Sequence, residues 1–367
     1  MVRLAVAGLG AVTRDVHLPA YNLLKNKVTV VAACDPDHSA RAWARQQNSI
    51  PELFEELPET IEKTRPDVVA ICTPPAVHKT QVLTALAHGC HVFCEKPMVE
   101  SLTDADEIIH AAQAADRWVV VNTQYPMMAI HSAAKRLLNS PGIGRLLYLS
   151  ASQVLRPFAD HGWRVGLRRR TCFEMGIHIL ELMRFFFAED PIRIWAHMLD
   201  PTHADRDTIN VISVEFADRR AASMLVNRIS QGRRDFLTVR LETELASIQT
   251  SMKSQCELRA SIPPGGIRPS LTLDFSRGGS AVLQQGDRSK VIATEGRNAW
   301  VSGTARNFEQ FRGAIRDGKE PLFTARHHRN TLALVFAAYD SAETGRIIEL
   351  SPYYQVAPGN LARGTAN

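Results

Sequence analysis

Short apolar runs recur along the first part of the chain: Val2 to Ala7, Val28 to Cys34, Val68 to Cys72, His91 to Cys94 and Trp118 to Val121. Between them lie stretches of helical character: Ser39 to Gln47, Ile61 to Arg65, Val77 to His88 and Thr103 to Ala115. Gly89 stands where a left-handed C-cap belongs, and Thr103 is a candidate N-cap. Runs that are apolar throughout, rather than alternating, predict strands buried on both faces. Such strands, separated regularly by helices, predict a parallel, doubly wound sheet with right-handed crossovers. Ligands of a sheet of this kind bind beyond the carboxyl ends of its strands.

From about Thr123 the rhythm changes. Ile130 to Asn139 reads as a helix, Gly142 to Gly144 as a turn, Leu146 to Val154 as a strand and Cys172 to Phe187 as a long apolar helix. Strand-like segments then dominate: Ile192 to His197, Thr208 to Phe216, Ala221 to Ile229, Phe236 to Leu241, Ala246 to Gln249 and Leu271 to Phe275. A loop is expected at Pro263 to Gly266 and a turn at Gly278-Gly279. The alternation Asn210-Val211-Ile212-Ser213-Val214-Glu215 predicts one face buried and one facing water or a partner. Helices Ala305 to Asp317 and Ala325 to Gly345 follow. The expected architecture is α/β, in two domains with a tail. Residues 1–122 form a Rossmann-type domain. Residues 123–350 form an α+β domain with an open mixed or antiparallel sheet. Residues 351–367 form a loose tail. Self-association would cover the open face.

A length of 367 residues, with 45% hydrophobic and 22% charged content, fits a two-domain globular protein. The net charge of +5 carries no nucleic-acid signature, and the basic run Arg168-Arg169-Arg170 reads as solvated. A strand beginning at Val2 leaves no room for a signal peptide, and no apolar run is long enough to cross a bilayer. The six cysteines sit singly, without metal-knuckle spacing, as expected of reduced thiols in the cytoplasm. No metal, nucleic acid or membrane is expected as a partner.

The first strand runs into Gly8-Leu9-Gly10-Ala11-Val12 and then a helix, the start of a dinucleotide-binding unit. Gly8 permits the tight turn, Gly10 lets the backbone approach a pyrophosphate, and the helix start favours the anion. Thr13 stands at the third glycine position, which implies a slightly wider helix–strand approach. Asp35, ending the second strand, stands where a carboxylate binds ribose hydroxyls, favouring NAD; Arg41 and Arg45 leave NADP open. The other strand ends carry Thr73-Pro74-Pro75, Glu95-Lys96-Pro97 and Asn122-Thr123-Gln124. Lys96 can hydrogen-bond a substrate oxygen, although a lone strand-end lysine is more often a solvated charge. His178 has Glu174 four residues before it and Glu181 three after, on one helical face. That suits a general base held by a carboxylate; a satisfied histidine, or a metal site with Glu174, are the alternatives. His78 could line the crevice or cap the following helix.

These residues resemble the Gfo/Idh/MocA family of glucose–fructose oxidoreductase and inositol dehydrogenase-like enzymes. The likeness runs from Val2 to about Leu350. It is anchored by Gly8-Leu9-Gly10, His17-Leu18-Pro19-Ala20, Asp35, Thr73-Pro74 with His78, Glu95-Lys96-Pro97, Gly176-Ile177-His178 and Ser341-Ala342. The resemblance implies hydride transfer between NAD(P) and a hydroxyl- or keto-bearing carbon, on a sugar, nucleotide-linked sugar or cyclitol, in a homodimer or homotetramer. It implies that Lys96 is catalytic and His178 transfers a proton, with Glu174 in the usual place of an Asp. Pro97 would follow a cis peptide. Gly8, Gly10, Ala11, Val12, Asp35, Thr73, Pro74, His78, Glu95, Lys96 and Gln124 would line the cofactor. Arg169-Arg170-Thr171-Cys172 and Gln124-Tyr125 depart from the family's pattern and point to an unusual substrate; arginines facing the crevice would suit a carboxylate or phosphate. A non-enzymatic NAD(P)-binding sensor, and elimination or glycoside cleavage with recycled NAD, are the alternative functions.

Overall fold

The computed structural model describes residues 1–47, 50–157, 162–232, 235–252, 255–261, 270–276 and 278–356. The chain divides into two compact units. Met1–Gln124, Thr304–Phe336 and the chain from Leu350 make the first; Tyr125–Gly303 and Ala337–Glu349 make the second. The expected loop at Pro263 to Gly266, and the tail from residue 357, lie outside the described residues.

In the first unit the apolar runs become parallel strands β1 (Val2–Ala7), β2 (Val28–Cys34), β4 (Val68–Ile71), β5 (His91–Cys94) and β6 (Val119–Val121). A short edge strand, β3 (Glu52–Phe54), was not legible in the pattern. The order is β3-β2-β1-β4-β5-β6. The strand order therefore reverses at β1, and a crevice opens beyond its carboxyl end. Helices α1 (Leu18–Leu23), α2 (His38–Gln46), α3 (Leu57–Thr64), α4 (Pro75–Ala87) and α5 (Leu102–Ala115) connect the strands. Helix α3 starts earlier than expected, because Pro58 is tolerated in a first turn. Ser101, not Thr103, caps α5: its Oγ accepts from the Asp104 N–H at 3.0 Å. Gly89, just past α4, has the expected positive φ of 74°.

Two later helices, α8 (Ala299–Asp317) and α9 (Ala325–Thr344), contribute residues 304–336 to this unit. Phe308 of α8 packs edge-on against Phe93 of β5 and Tyr21 of α1, both at 5.1 Å between ring centres. The Val121 N–H donates to Phe323 O at 2.9 Å and the Asn307 amide to Val121 O at 3.1 Å, so the returning segment satisfies the β6 edge. Buried Arg329 of α9 pairs with Asp106 of α5 at 2.7 Å.

The second unit begins with α6 (Ala129–Leu138) and β7 (Leu146–Val154). It continues through α7 (Ile177–Phe187), β8 (Arg193–Leu199), β9 (Ile209–Glu215), β10 (Ala221–Asn227), β11 (Asp235–Thr243) and β12 (Ser247–Ser251). A hairpin of β13 (Gln255–Ser261) and β14 (Ser270–Ser276) stands apart from the sheet. Strands β15 (Gly279–Gln285), β16 (Arg288–Glu295) and β17 (Ile348–Glu349) complete a nine-stranded sheet in the order β16-β15-β12-β11-β7-β10-β9-β8-β17. Only β7 and β10 run parallel, so the sheet is mixed. Gly279 opens β15 instead of making a turn, and β13, β15 and β16 escape the pattern because polar residues interrupt their apolar positions. Along β9, Asn210, Ile212 and Val214 are buried and Val211 is exposed, the alternation expected. A short helix, Ser351–Tyr354, opens the tail.

Phe308→Ala is expected to destabilise the protein by about 3–5 kcal/mol, read from urea unfolding. A loss below about 1 kcal/mol would show that α8 does not close the core of the first unit.

Candidate functional site

The crevice of the first unit is built on the turn after β1. Gly8 has φ of 92°. A Cβ there would lie 2.9 Å from the Cys72 carbonyl oxygen, so glycine alone fits between β1 and the end of β4. At Gly10 a Cβ would meet nothing within 4 Å. The backbone there faces open space, which a ligand's approach requires. Thr13 is buried and its hydroxyl donates to Gly8 O at 2.6 Å, tying the third fingerprint position back to the turn. Residues Thr13–His17 form a π-helical turn, and no side chain caps its start at Val12. Ala11 is exposed and Val12 half-buried, so the helix start is open to an anion.

Asp35 brackets the turn from the end of β2. Its Oδ2 accepts from the Leu9 N–H at 2.7 Å and its Oδ1 from the Asp37 N–H at 2.9 Å. Arg41 is turned onto the carbonyls of Asp35 and Pro36, at 2.6 and 2.9 Å, with Glu55 3.4 Å away.

The remaining strand ends come together on the same rim. Thr73 Oγ1 donates to the Gln81 side-chain oxygen at 2.6 Å, and Pro74 precedes α4 without a side-chain cap. His78 is fully buried; it ties the Thr73 carbonyl (2.7 Å) to those of Pro97 and Met98 (3.1 and 3.2 Å) rather than capping α4. Burial pushes its pKa down, outweighing the neighbouring carbonyls. The Lys96–Pro97 peptide is cis, as the resemblance implies. Glu95 is buried behind half-buried Lys96, with Oε1 at 2.7 Å from His17 Nε2 and 2.6 Å from the Asn122 amide nitrogen. After β6, Asn122 Oδ1, Thr123 Oγ1 and Gln124 Oε1 are buried without a hydrogen-bond partner. A buried orphan acceptor costs about 1–3 kcal/mol, so three in a row at a ligand rim suit a bound amide. Open space at Gly10, the carboxylate of Asp35 and these acceptors fit a nicotinamide dinucleotide.

A second constellation lies in the other unit. His178 is buried near the start of α7, its ring stacked on Tyr125 at 4.2 Å and 8°. The turn before it, Cys172–Gly176, is π-helical, so Glu174 and His178 are not related by the plain α-helical turn that their spacing suggests. Glu174 is buried and pairs with the guanidinium of fully buried Arg170 and with Arg164 at 2.5 Å. The other arginines of the run also meet carboxylates: Arg168 pairs with Asp205 at 3.0 Å and Arg169 with Glu343 at 2.9 Å. Arg168 and Arg169 are exposed, as expected of a solvated run, and pair only at the surface; Arg170 alone departs from that expectation by being buried. Asp207 anchors this turn, accepting from the backbone N–H groups of Arg170, Thr171 and Cys172 at 2.6, 3.0 and 2.8 Å. The Asn210 amide (2.9 Å) and the Tyr339 hydroxyl (3.2 Å) complete its shell. His131, buried beneath Tyr125, contacts its carbonyl at 2.8 Å, and burial pushes its pKa down to about 4. Asp207, Arg164 and the His17–Glu95 contact carry no local sequence signal; each depends on long-range packing. Among the described residues no group of three His, Cys, Asp or Glu is placed to hold a metal ion, and no helix is long and apolar enough to cross a membrane.

Residues 2–123 match the Gfo/Idh/MocA profile of an oxidoreductase family with an NAD-binding Rossmann fold, and residues 131–248 match the Gfo/Idh/MocA C-terminal domain. A D-apiose dehydrogenase of Paraburkholderia graminis is 25% identical over 362 residues, 96% of this chain and 91% of that protein. An inositol 2-dehydrogenase of Burkholderia ambifaria is 28% identical over 194 residues, 52% of this chain and 55% of that protein. Among solved structures, an oxidoreductase of Agrobacterium radiobacter in complex with NAD+, L-tartaric acid and magnesium shares the fold. Its TM-score is 0.80 at 18% identity, over 96% of this chain and 99% of that one.

The two glycines give opposite expectations for stability. Gly8→Ala, strained and crowded, is expected to lose about 1–3 kcal/mol, whereas Gly10→Ala should stay within about 1 kcal/mol of the parent in the same thermal melt. Equal losses in both would contradict the geometry of the turn.

Proposed function

We propose, since this chain belongs to the Gfo/Idh/MocA family of oxidoreductases, whose N-terminal domain is an NAD-binding Rossmann fold, that it is a dehydrogenase of polyhydroxylated substrates. It would move a hydride between nicotinamide and a hydroxyl- or keto-bearing carbon of a sugar, nucleotide-linked sugar or cyclitol. The observation that carries this reading is the rim of the first unit, where Lys96 stands on the same strand-end edge as the open turn at Gly10. The names of the D-apiose and inositol dehydrogenases support the substrate class.

NAD, when bound, takes up or supplies the hydride at its nicotinamide. The backbone of Gly8, Gly10, Ala11 and Val12 would hold the pyrophosphate, and Asp35 would bind the ribose hydroxyls. Thr73, Pro74, Lys96 and Gln124 would shape the rest of the cofactor's wall, with His78 and Glu95 buried behind it. Lys96 hydrogen-bonds the substrate oxygen and polarises it. His178 takes the hydroxyl proton in oxidation and returns it in reduction, its ring steadied by Tyr125. Glu174 acts with Arg170 and Arg164 to fix the turn from which His178 projects. NAD is preferred over NADP, because Asp35 repels a 2′-phosphate and Arg41 is already turned onto backbone carbonyls.

The first unit is the cofactor domain, and the second binds substrate and self-associates. Exposed Leu147, Tyr148, Trp195 and Val211 on the strands of its sheet support a homodimer or homotetramer. Cys34, Cys72, Cys90, Cys94 and Cys172 are free and buried, which suits a reducing, cytoplasmic setting.

Lys96→Met tests the assignment. Roughly a 100- to 10,000-fold loss of kcat is expected, with NADH binding retained. Full activity in this variant would contradict the proposal.

A further inference from the structure

Behind Lys96 runs a buried chain of polar side chains. His17, fully buried in the π-helical turn after the glycines, has Nδ1 at 2.9 Å from the Tyr21 hydroxyl and Nε2 at 2.7 Å from Glu95 Oε1. The Asn122 amide donates to the same Glu95 oxygen at 2.6 Å and is 3.1 Å from Thr304 Oγ1. The other oxygen, Glu95 Oε2, accepts from the backbone N–H of Lys96 at 3.2 Å. One carboxylate therefore joins the helix that follows the glycine turn, the end of β5 and the end of β6, and it touches the peptide group of Lys96.

We propose that Glu95, braced by His17 and Asn122, is a positioning residue for Lys96. It fixes the strand-end turn from which the lysine projects and keeps an anion behind it. This rests on the reading that Lys96 acts on the substrate oxygen.

The titratable neighbours of Glu95 are His17 and Tyr21 at the start of the first helix, Cys72 after β4, His78 of α4, and Cys94 and Lys96 on either side. Burial keeps Tyr21 and Cys94 protonated and His78 neutral. Burial also works against a charge on His17, but Cys72, Tyr21 and Glu95 outweigh it and raise its pKa well above the usual imidazole range. Burial opposes the Glu95 carboxylate too; His17, Asn122 and Lys96 overcome this and hold its pKa below the usual carboxylate range. Imidazolium and carboxylate stabilise each other, and the carboxylate accepts from the Lys96 backbone N–H. A buried ion pair is weak evidence for stability, and this one sits directly behind a residue with a chemical role.

The test is Glu95→Gln, which keeps the shape of the side chain. Expected is a 10- to 100-fold lower kcat. The limb of the kcat–pH profile that belongs to Lys96 should move to lower pH, because losing the anion disfavours the ammonium form. The His17 ring signals in NMR should also shift, because Nε2 loses its carboxylate partner. An unmoved pH profile, whatever happens to kcat or thermal stability, reduces the chain to a structural role and overturns the proposal. If Glu95→Gln does not fold, His17→Gln carries the test with the opposite sign. Loss of the imidazolium leaves the carboxylate less compensated and moves the limb to higher pH; an unmoved limb overturns the proposal here as well. Full activity in Lys96→Met would instead remove the underlying reading, so the two failures are distinguishable.

Discussion

The turn at Gly8 is the constraint from which the first unit follows. Strand β1 lies in the middle of a parallel sheet, with β2 on one side and β4 on the other. The Gly8 N–H donates to Cys34 O and the Cys72 N–H to Ala7 O, both at 2.8 Å, so three strand ends are tied within one residue of the turn. No room remains for a side chain, and the chain must leave with a positive φ. Asp35 then clamps the Leu9 N–H, and the helix start is presented to open space at Gly10. A sheet that reverses its order at this strand has its crevice at this point. The polar residues that end the other strands are gathered at one rim for that reason.

The second unit solves a different problem. A buried histidine must keep one ring orientation on a helix that begins with an irregular turn. Stacking on Tyr125 fixes the ring plane, while Asp207 collects three successive backbone donors at the helix entrance. Arg170 and Glu174 then neutralise each other inside the same turn. Asp207 thus satisfies the orphan donors that a helix start leaves behind, without drawing on residues near His178.

What was legible in the sequence was local. The apolar runs of β1, β2, β4, β5 and β6 mark themselves because both faces are buried, and the glycine turn with Asp35 follows a fixed spacing. Strand β3 is three residues long and half-exposed, so it has no run to read. The apolar face of α8 was visible, but a periodic face does not say which core it fills, and Phe308 fills that of the first unit. Extra residues in the π-turns at Thr13–His17 and Cys172–Gly176 leave no mark on an apolar pattern read at helical spacing. His17 and Glu95 are 78 positions apart, and the motifs that mark each say nothing of their contact; the pair exists only once the sheet has formed. Departures of this kind are long-range choices made by packing, which single-residue chemistry does not encode.

The crevice of the first unit is built for NAD. Calorimetric titration of NADH and NADPH into purified protein tests it most directly. Tight NADH binding with much weaker NADPH binding is the predicted result, because the Asp35 carboxylate at the end of β2 would repel a 2′-phosphate and Arg41 is engaged by backbone carbonyls. NADPH binding as tightly as NADH, or neither nucleotide binding to well-folded protein, would contradict it.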